Sequence, residues 1–271
     1  NDVTRFGLSP SIWEGNNIPD HTEFINHPDL GSSITYNFMA ETPVMATTVS
    51  QNGLYTYQDT GVTIQGAATN DAGLEFAGND ADNDEGHLTG GGNTGAAYVI
   101  SDTAADSRKL AFEAIIDKAS IADNGLAFFL GLAEEGLGAA ETLVDNTGVL
   151  KTSADFIGFR CLQDDGDSLD IVYQKGGQTL QSVSDAHQAL EASTYYSLGF
   201  VYDPEFPAAN KIKFYIDGVE TGKYVTTTNI AAATFPDAEE LTWLFATKVG
   251  AASEVKAHLR LLRVAQMRYV V

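Results

Sequence analysis

A chain of 271 residues with 44% hydrophobic residues, 14 Phe and 11 Tyr is long enough to bury a substantial core, as one large β domain or two small ones. Its formal charge of -22 argues against DNA, RNA and anionic membrane as partners, because binding phosphate needs clustered Lys and Arg. The single cysteine, Cys161, excludes an intrachain disulfide, and no basic-then-apolar leader or long apolar run reads as a signal peptide or membrane span.

Residues 1–31 come first and have no sustained period. Pro10, Pro19 and Pro28 with Gly7, Gly15 and Gly31 interrupt every candidate helix or strand. An irregular arm of this length calls for an explanation, and Phe6, Leu8, Ile12, Trp13, Ile18, Phe24, Ile25 and Leu30 make it too apolar for a solvated tail. It either packs along its own domain or docks onto a partner. The candidate partner-binding residues are Arg5, Phe6, Leu8, Ile12 and Trp13, with Trp13 as the anchor because a buried aromatic is a common hot spot.

From Ser33 onward the chain reads as strands. Short candidates lie at 33–38, 53–58, 61–65, 73–77 and 97–100, separated by Gly, Asn, Asp and Thr, a spacing typical of sandwiches and barrels. Stronger ones follow. Residues 108–117 set Leu110, Phe112, Ala114 and Ile116 on one face, and 125–132 is apolar enough for burial on both sides. The small-residue segment 134–150 predicts a loop or a single helical turn. A hairpin across Asp164-Asp165-Gly166-Asp167 joins 155–162 to 168–174, with Cys161 alternating inward beside Ile157 and Phe159 as a buried thiol rather than a nucleophile.

The clearest architectural signal is 195–222. Tyr196, Leu198, Phe200 and Tyr202 alternate with Tyr195, Ser197, Gly199 and Val201; Ile212, Phe214 and Ile216 alternate with Lys211, Lys213, Tyr215 and Asp217. The first set of each strand predicts a core face and the second a solvent face. Asp217-Gly218 supplies the positive backbone angles of a tight hairpin turn. A short helix at 235–240, a strand at 241–249 with Trp243 in the core, and a long closing strand at 256–267 complete the reading. The charge is uneven: residues 1–107 contain one basic residue, Arg5, whereas Lys256, Arg260, Arg263 and Arg268 crowd the last twenty residues. With no linker after residue 32, one domain, 32–271, preceded by the arm, 1–31, is expected.

The pattern of Tyr196, Leu198, Phe200, Tyr202, Phe214, Ile216, Asp217 and Gly218, preceded by Phe156-Ile157-Gly158-Phe159, resembles the concanavalin A-like, laminin-G-type jelly rolls over roughly residues 97–266. That implies an all-β antiparallel sandwich and is silent about activity. The opening Arg5 to Gly15, followed by an acidic and apolar arm, resembles a group of tailed-bacteriophage virion proteins of this fold. What this second resemblance implies is a capsid decoration or cementing protein, made in the host cytoplasm, located on the capsid surface, and bound to the major capsid protein and to copies of itself. The alternative reading is a lectin-like, carbohydrate-binding module of a tail fibre or adhesin.

Glycoside hydrolases share this sandwich, and the laminarinase type sets two Glu and an Asp at alternate positions of one strand. No E-x-D-x-E or E-x-D-x-x-E sequence occurs. Glu113 and Asp117, four apart, are expected to be a solvent-facing pair, so no catalytic residue and no enzyme activity is expected. Asp80, Asp82 and Asp84 supply hard oxygen ligands in a loop and are the candidate calcium ligands, although the EF-hand positions for glycine and glutamate are filled by Glu85 and Gly91. Asp164, Asp165 and Asp167 form a similar turn. The resemblance implies that edge loops of such domains often hold calcium, whereas the residues themselves read as acidic turns needing no cofactor. The five histidines lack zinc spacing, no G-x-S-x-G elbow is present, and the Gly90-Gly91-Gly92 run lacks the lysine of a phosphate loop.

Overall fold

The computed structural model describes residues 8–39, 54–67, 73–78, 82–90, 95–103, 107–123, 125–138, 142–143, 150–250 and 255–268. Its strands, numbered in chain order, form two antiparallel sheets packed face to face. The first sheet contains, in spatial order, β14 (Val219–Val225), β13 (Ile212–Ile216), β12 (Tyr196–Tyr202), β7 (Leu110–Lys118), β16 (Val255–Met267), β4 (Leu74–Gly78) and β3 (Val62–Gly66), with β1 (Gly31–Asn37) also paired to β16. The second contains β11 (Gln181–Ala189), β10 (Ser168–Gln174), β9 (Phe156–Cys161), β8 (Leu126–Glu134), β15 (Glu240–Val249), β5 (Glu85–Gly90) and β2 (Leu54–Gln58), with β6 (Tyr98–Val99) beside the start of β15. The all-β sandwich expected from the alternation is what forms.

The inward faces are the ones that period-two reading selects. Phe112, Phe200 and Phe214 from the first sheet meet Phe128, Phe159 and Phe245 from the second, and Trp243 is fully buried among them. Phe159 meets Phe214 edge to face at 5.8 Å, and Phe76 meets Phe245 in the same way at 4.7 Å, the geometry that aromatic quadrupoles favour. The Asp217-Gly218 turn closes β13 onto β14 with Ile216 opposite Val219. Both turn residues have positive φ, 51° and 73°, as a two-residue hairpin requires.

The outward faces depart from expectation. Val201 and Tyr215, placed toward solvent by alternation, are buried, because the N-terminal arm lies across that face of the first sheet. Ile12, Trp13, Ile18 and Phe24 of the arm pack with Ala111, Val201, Tyr215, Ala265 and Met267 in a cluster separate from the main core. Burying each large apolar side chain there contributes about 1.5–3 kcal/mol. Gly199 makes room for the arm: a Cβ at that position would meet Ile12 Cδ1 at 2.7 Å. The described part of the arm carries a 3-10 turn at Glu14–Asn16 and a short α-helix, α1 (His21–Asn26), started by a capping box between Asp20 and Glu23.

The outer face of the second sheet is covered as well. Leu137, Leu143, Leu150 and Ala154 pack onto Phe129, Phe156, Val172, Leu244 and Ala246, with an isolated bridge joining Leu143 to Leu150. The small-residue segment is therefore a covering loop in its described parts. Two local expectations fail. Residues 235–239 form turns and bends, interrupted by Pro236 and by Ala238 at φ 58°, and the helix lies earlier, as α2 (Thr227–Ile230), capped by Thr226 and Asn229. The strand β11 gave no sequence signal, because it is a polar edge strand with a bulged register and half of its residues exposed or nearly so, features that guard edges against pairing.

Candidate functional site

Alternation puts an isolated carboxylate on the outside of a strand, yet Glu113 has no exposed surface and Asp117 almost none. The solvent-facing pair is thus two separate buried anchors. Glu113 projects from β7 under the arm. It accepts from the Ser9 backbone N–H at 3.0 Å, from Ser9 Oγ at 2.5 Å, from Trp13 Nε1 at 2.5 Å and from Ser197 Oγ. Arg263 lies over the Trp13 ring, 3.9 Å from its centroid, and donates to the Pro19 carbonyl at 2.5 Å. Asp117 instead accepts from His258 Nδ1 at 2.8 Å, while His258 Nε2 lies 3.4 Å from Glu75. Burial works against the imidazolium, but Asp117 and Glu75 outweigh it and raise the His258 pKa. Burial also opposes the Glu75 charge, and Gln65, Lys256 and His258 together hold its pKa below the ordinary value.

A third polar group sits on the outer face of the second sheet. Glu85 contacts His87 Nε2 at 2.9 Å and Lys248 Nζ at 3.1 Å, and Tyr57 stacks on His87. The covering loop closes over them: Thr142 N–H donates to Glu85 at 3.2 Å and Lys248 donates to the Leu143 carbonyl at 3.0 Å. Desolvation pushes the Glu85 pKa up, and His87 with Lys248 reverse the shift and lower it. These carboxylates are all engaged by partners of their own chain, so their first effect is to hold the arm and the loop in place.

An accessible concavity among the described residues lies elsewhere, at one end of the sandwich. It is a pocket of about 270 Å³ lined by Asp102, Ser107, Tyr202, Pro204, Glu205, Lys211, Thr227 and Ile230. Three segments build it: the chain entering β7, the connection from β12 to β13, and α2. The connection folds back because Phe206 N–H donates to Asp203 O, and Glu205 N–H to Asp203 Oδ1 at 2.8 Å. Lys109 pairs with Asp203 at 2.8 Å and also donates to Asn16 O at 3.0 Å, tying the rim to the arm. Tyr202 OH contacts Ser107 Oγ at 2.5 Å and donates to Ser101 O at 2.6 Å, which fixes its ring. Pro204 contributes partly exposed apolar surface, whereas Ile230, 1% exposed, belongs to the core. The buried Thr227 hydroxyl oxygen has no hydrogen-bond partner among the described residues.

The pocket is acidic. Asp237 accepts the Asp102 backbone N–H at 2.9 Å. Desolvation first, and then the neighbouring Asp237 carboxylate, raise the Asp102 pKa. Tyr202 is raised by burial, with Asp102, Asp237 and Asp203 adding to the shift against Ser107. Lys211 reaches the Pro204 carbonyl at 2.5 Å rather than a carboxylate.

No residue proposed from sequence for a site lines this pocket. Leu8 is half-buried and packs against the arm cluster, while Ile12 and Trp13 are 0% and 3% exposed. The arm thus packs along its own domain, one of the two arrangements expected for it: the sheet beneath takes up the apolar surface, and Glu113 takes up the Trp13 N–H. Arg5 and Phe6 lie outside the described residues, as does Asp80. Asp82 and Asp84 stand in the turn before β5, and no group of three metal-ligating side chains occurs among the described residues. The pocket escaped sequence reading because Asp102, Tyr202 and Thr227 are far apart in the chain. Its one legible component is the polar, proline-containing connection between β12 and β13.

No family model matches the chain, and no curated protein matches it in sequence. Solved structures do. A protein of unknown function from Shewanella oneidensis MR-1 superposes with a TM-score of 0.54 at 13% identity, covering 94% of this chain and 99% of the other. The Emp47p carbohydrate recognition domain gives 0.56 at 12%, covering 91% and 98%. Peanut lectin, in complex with a nine-residue peptide, gives 0.52 at 14%, covering 88% and 100%. The fold is the concanavalin A-like, lectin-type sandwich. Polysaccharide-acting proteins share it too, among them a Bacteroides ovatus GH16 protein and a Trichoderma reesei glucuronan lyase. At these identities the likeness is one of fold.

Proposed function

We propose that this chain is a carbohydrate-binding, lectin-like module that holds one sugar residue in the pocket between Asp102, Glu205 and Ile230. The observation that carries the reading is the pocket itself. Sugar rings need acceptors and donors beside a small apolar patch, and Asp102, Glu205 and Lys211 line the pocket together with Pro204. Its volume of about 270 Å³ falls just below the roughly 300–1,000 Å³ usual for small-molecule sites, which suits one ring rather than a long chain. The names of two structural neighbours, a carbohydrate recognition domain and a lectin, support the same class. The buried carboxylates Glu113, Asp117, Glu75 and Glu85 are engaged by internal partners and are not among the residues lining the pocket. A glycan panel tests it: saturable retention of a defined sugar, weakened by Asp102→Ala at an exposed lining residue, supports the module, and no retention of any glycan overturns it.

A second reading, a structural protein of a bacteriophage particle bound to its major capsid protein, is carried by the resemblance of Arg5 to Gly15. In this reading the arm shapes the particle-facing surface from beneath rather than inserting Trp13 into a neighbour. Mass spectrometry of purified particles tests it. A fixed copy number per particle supports the role, and absence from particles removes it.

A further inference from the structure

We infer that the N-terminal arm sets the shape of the pocket, with Lys109 as the positioning residue that joins the two. The coupling is independent of which ligand the pocket takes, and it goes beyond the carbohydrate-binding reading by giving the arm a regulatory role. The rim is the connection from β12 to β13, which supplies Pro204, Glu205 and Lys211 to the lining. Asp203, 4% exposed, organises that connection: its N–H donates to Lys211 O at 3.2 Å, its carbonyl accepts from Phe206 N–H at 3.0 Å, and its Oδ1 accepts from Glu205 N–H at 2.8 Å. Its other carboxylate oxygen, Oδ2, faces Lys109 Nζ at 2.8 Å.

The same ammonium donates to Asn16 O at 3.0 Å, and Asn16 is a fixed point of the arm. Its buried side chain donates to Ser11 O at 3.0 Å and to Ile12 O at 2.8 Å, so its carbonyl holds its position only while the turn around Trp13 is intact. A second contact runs beside the first: Phe206, within the rim segment, packs against the cluster formed by Ile12, Trp13, Ile18 and Phe24. Lifting the arm takes the carbonyl acceptor from Lys109 and the apolar seat from Phe206 in one movement, and Asp203 is then held less firmly. Such coupling is reciprocal: whatever fills and stiffens the rim also holds the arm down.

Hydrogen exchange of the intact chain tests the coupling, read at the Asp203, Glu205 and Phe206 amides. Trp13→Phe, which keeps the ring and removes the N–H donor to Glu113, is expected to speed exchange at these rim amides about tenfold, while the amides of β10, in the other sheet, keep their rates. Lys109→Met is expected to speed the rim amides by itself and to abolish the further effect of Trp13→Phe. Lys109→Arg, which keeps a cation with several donors, is expected to retain the wild-type rates. Unchanged rim exchange in Trp13→Phe overturns the inference, as does equal acceleration at β10, which marks a global loss of stability. An effect of Trp13→Phe as large in Lys109→Met as in the wild type overturns the role of Lys109. The Trp13→Phe comparison leaves the rim sequence untouched and decides the coupling even if Lys109→Met does not fold. None of these measurements involves a ligand, so their failure leaves the carbohydrate-binding reading standing.

Discussion

Trp13 Nε1 donates a 2.5 Å hydrogen bond to Oε2 of Glu113, a carboxylate with no exposed surface that lies 100 residues further along the chain. The contact turns an apparently irregular arm into a fixed layer of the sandwich. It also gives physical content to the Ser9 to Trp13 stretch, since Ser9 supplies two more donors to the same carboxylate. Replacing Glu113 by Ala leaves those donors without an acceptor and is expected to cost about 3–5 kcal/mol. Trp13→Phe, which keeps the ring and removes the N–H, is expected to cost about 1–3 kcal/mol. Urea unfolding measures both, and hydrogen exchange over residues 9–26 reports whether the arm loosens first. Loss of less than about 0.5 kcal/mol in Glu113→Ala would remove the anchor role.

His258 makes the first sheet sensitive to pH. Its pKa is raised in the folded chain by Asp117 and Glu75 against burial, so its stabilising contribution is complete below the unfolded value of about 6.5 and is lost as pH rises through the folded value. Glu75, lowered in the folded chain, acts oppositely and loses its contribution in acid. Melting temperatures measured from pH 6 upward are expected to fall more steeply in the wild type than in His258→Gln. Parallel profiles would show that the imidazole carries no linked proton.

Lys248 is the buried clasp of the covering loop. Lys248→Met leaves Glu85 with His87 but removes the cation 3.1 Å away and the donor to Leu143. Leaving that charge uncompensated is expected to cost about 3 kcal/mol and to open the 142–143 segment to proteolysis. The double variant Lys248→Met, Glu85→Gln should recover part of the loss; equal instability of the single and double variants would show that the pair is not coupled.

Cys161 is expected to resist thiol reagents until the chain unfolds. It is fully buried, and desolvation raises its pKa despite Lys118 Nζ at 3.2 Å, leaving little thiolate to react. Labelling by a disulfide reagent should follow global unfolding in urea. Rapid labelling of the native chain would mean that the β9 end opens locally.

The strands with apolar alternation were legible from sequence because each had only to satisfy a two-residue period against one core. That holds for Leu110 to Ile116, for Tyr196 to Tyr202 and for the Asp217-Gly218 turn. The same rule misplaced Glu113, Asp117, Val201 and Tyr215, since period two separates faces without saying whether a face is wet. Which side a second layer covers is decided by distant segments, residues 9–26 on one sheet and Leu137, Leu143, Leu150 and Ala154 on the other. The pocket was illegible for a related reason: its acids and hydroxyls come from three connections, and no spacing within one segment carries them. β11 escaped because a bulged polar edge has no period to read.

Strand β16 pairs with β7 along one side and with β4 and β1 along the other, and Gly31 stands opposite Met267. The first strand of the sheet therefore waits for the last. During synthesis, β7, β4 and β1 all have an open edge until residues 255–267 leave the ribosome, so the sheet closes in one late, long-range step. Chains with such distant pairings fold slowly and spend time with unpaired edges. Truncation just before Val255 is thus expected to yield an aggregating chain rather than a smaller domain, although only the final strand is removed.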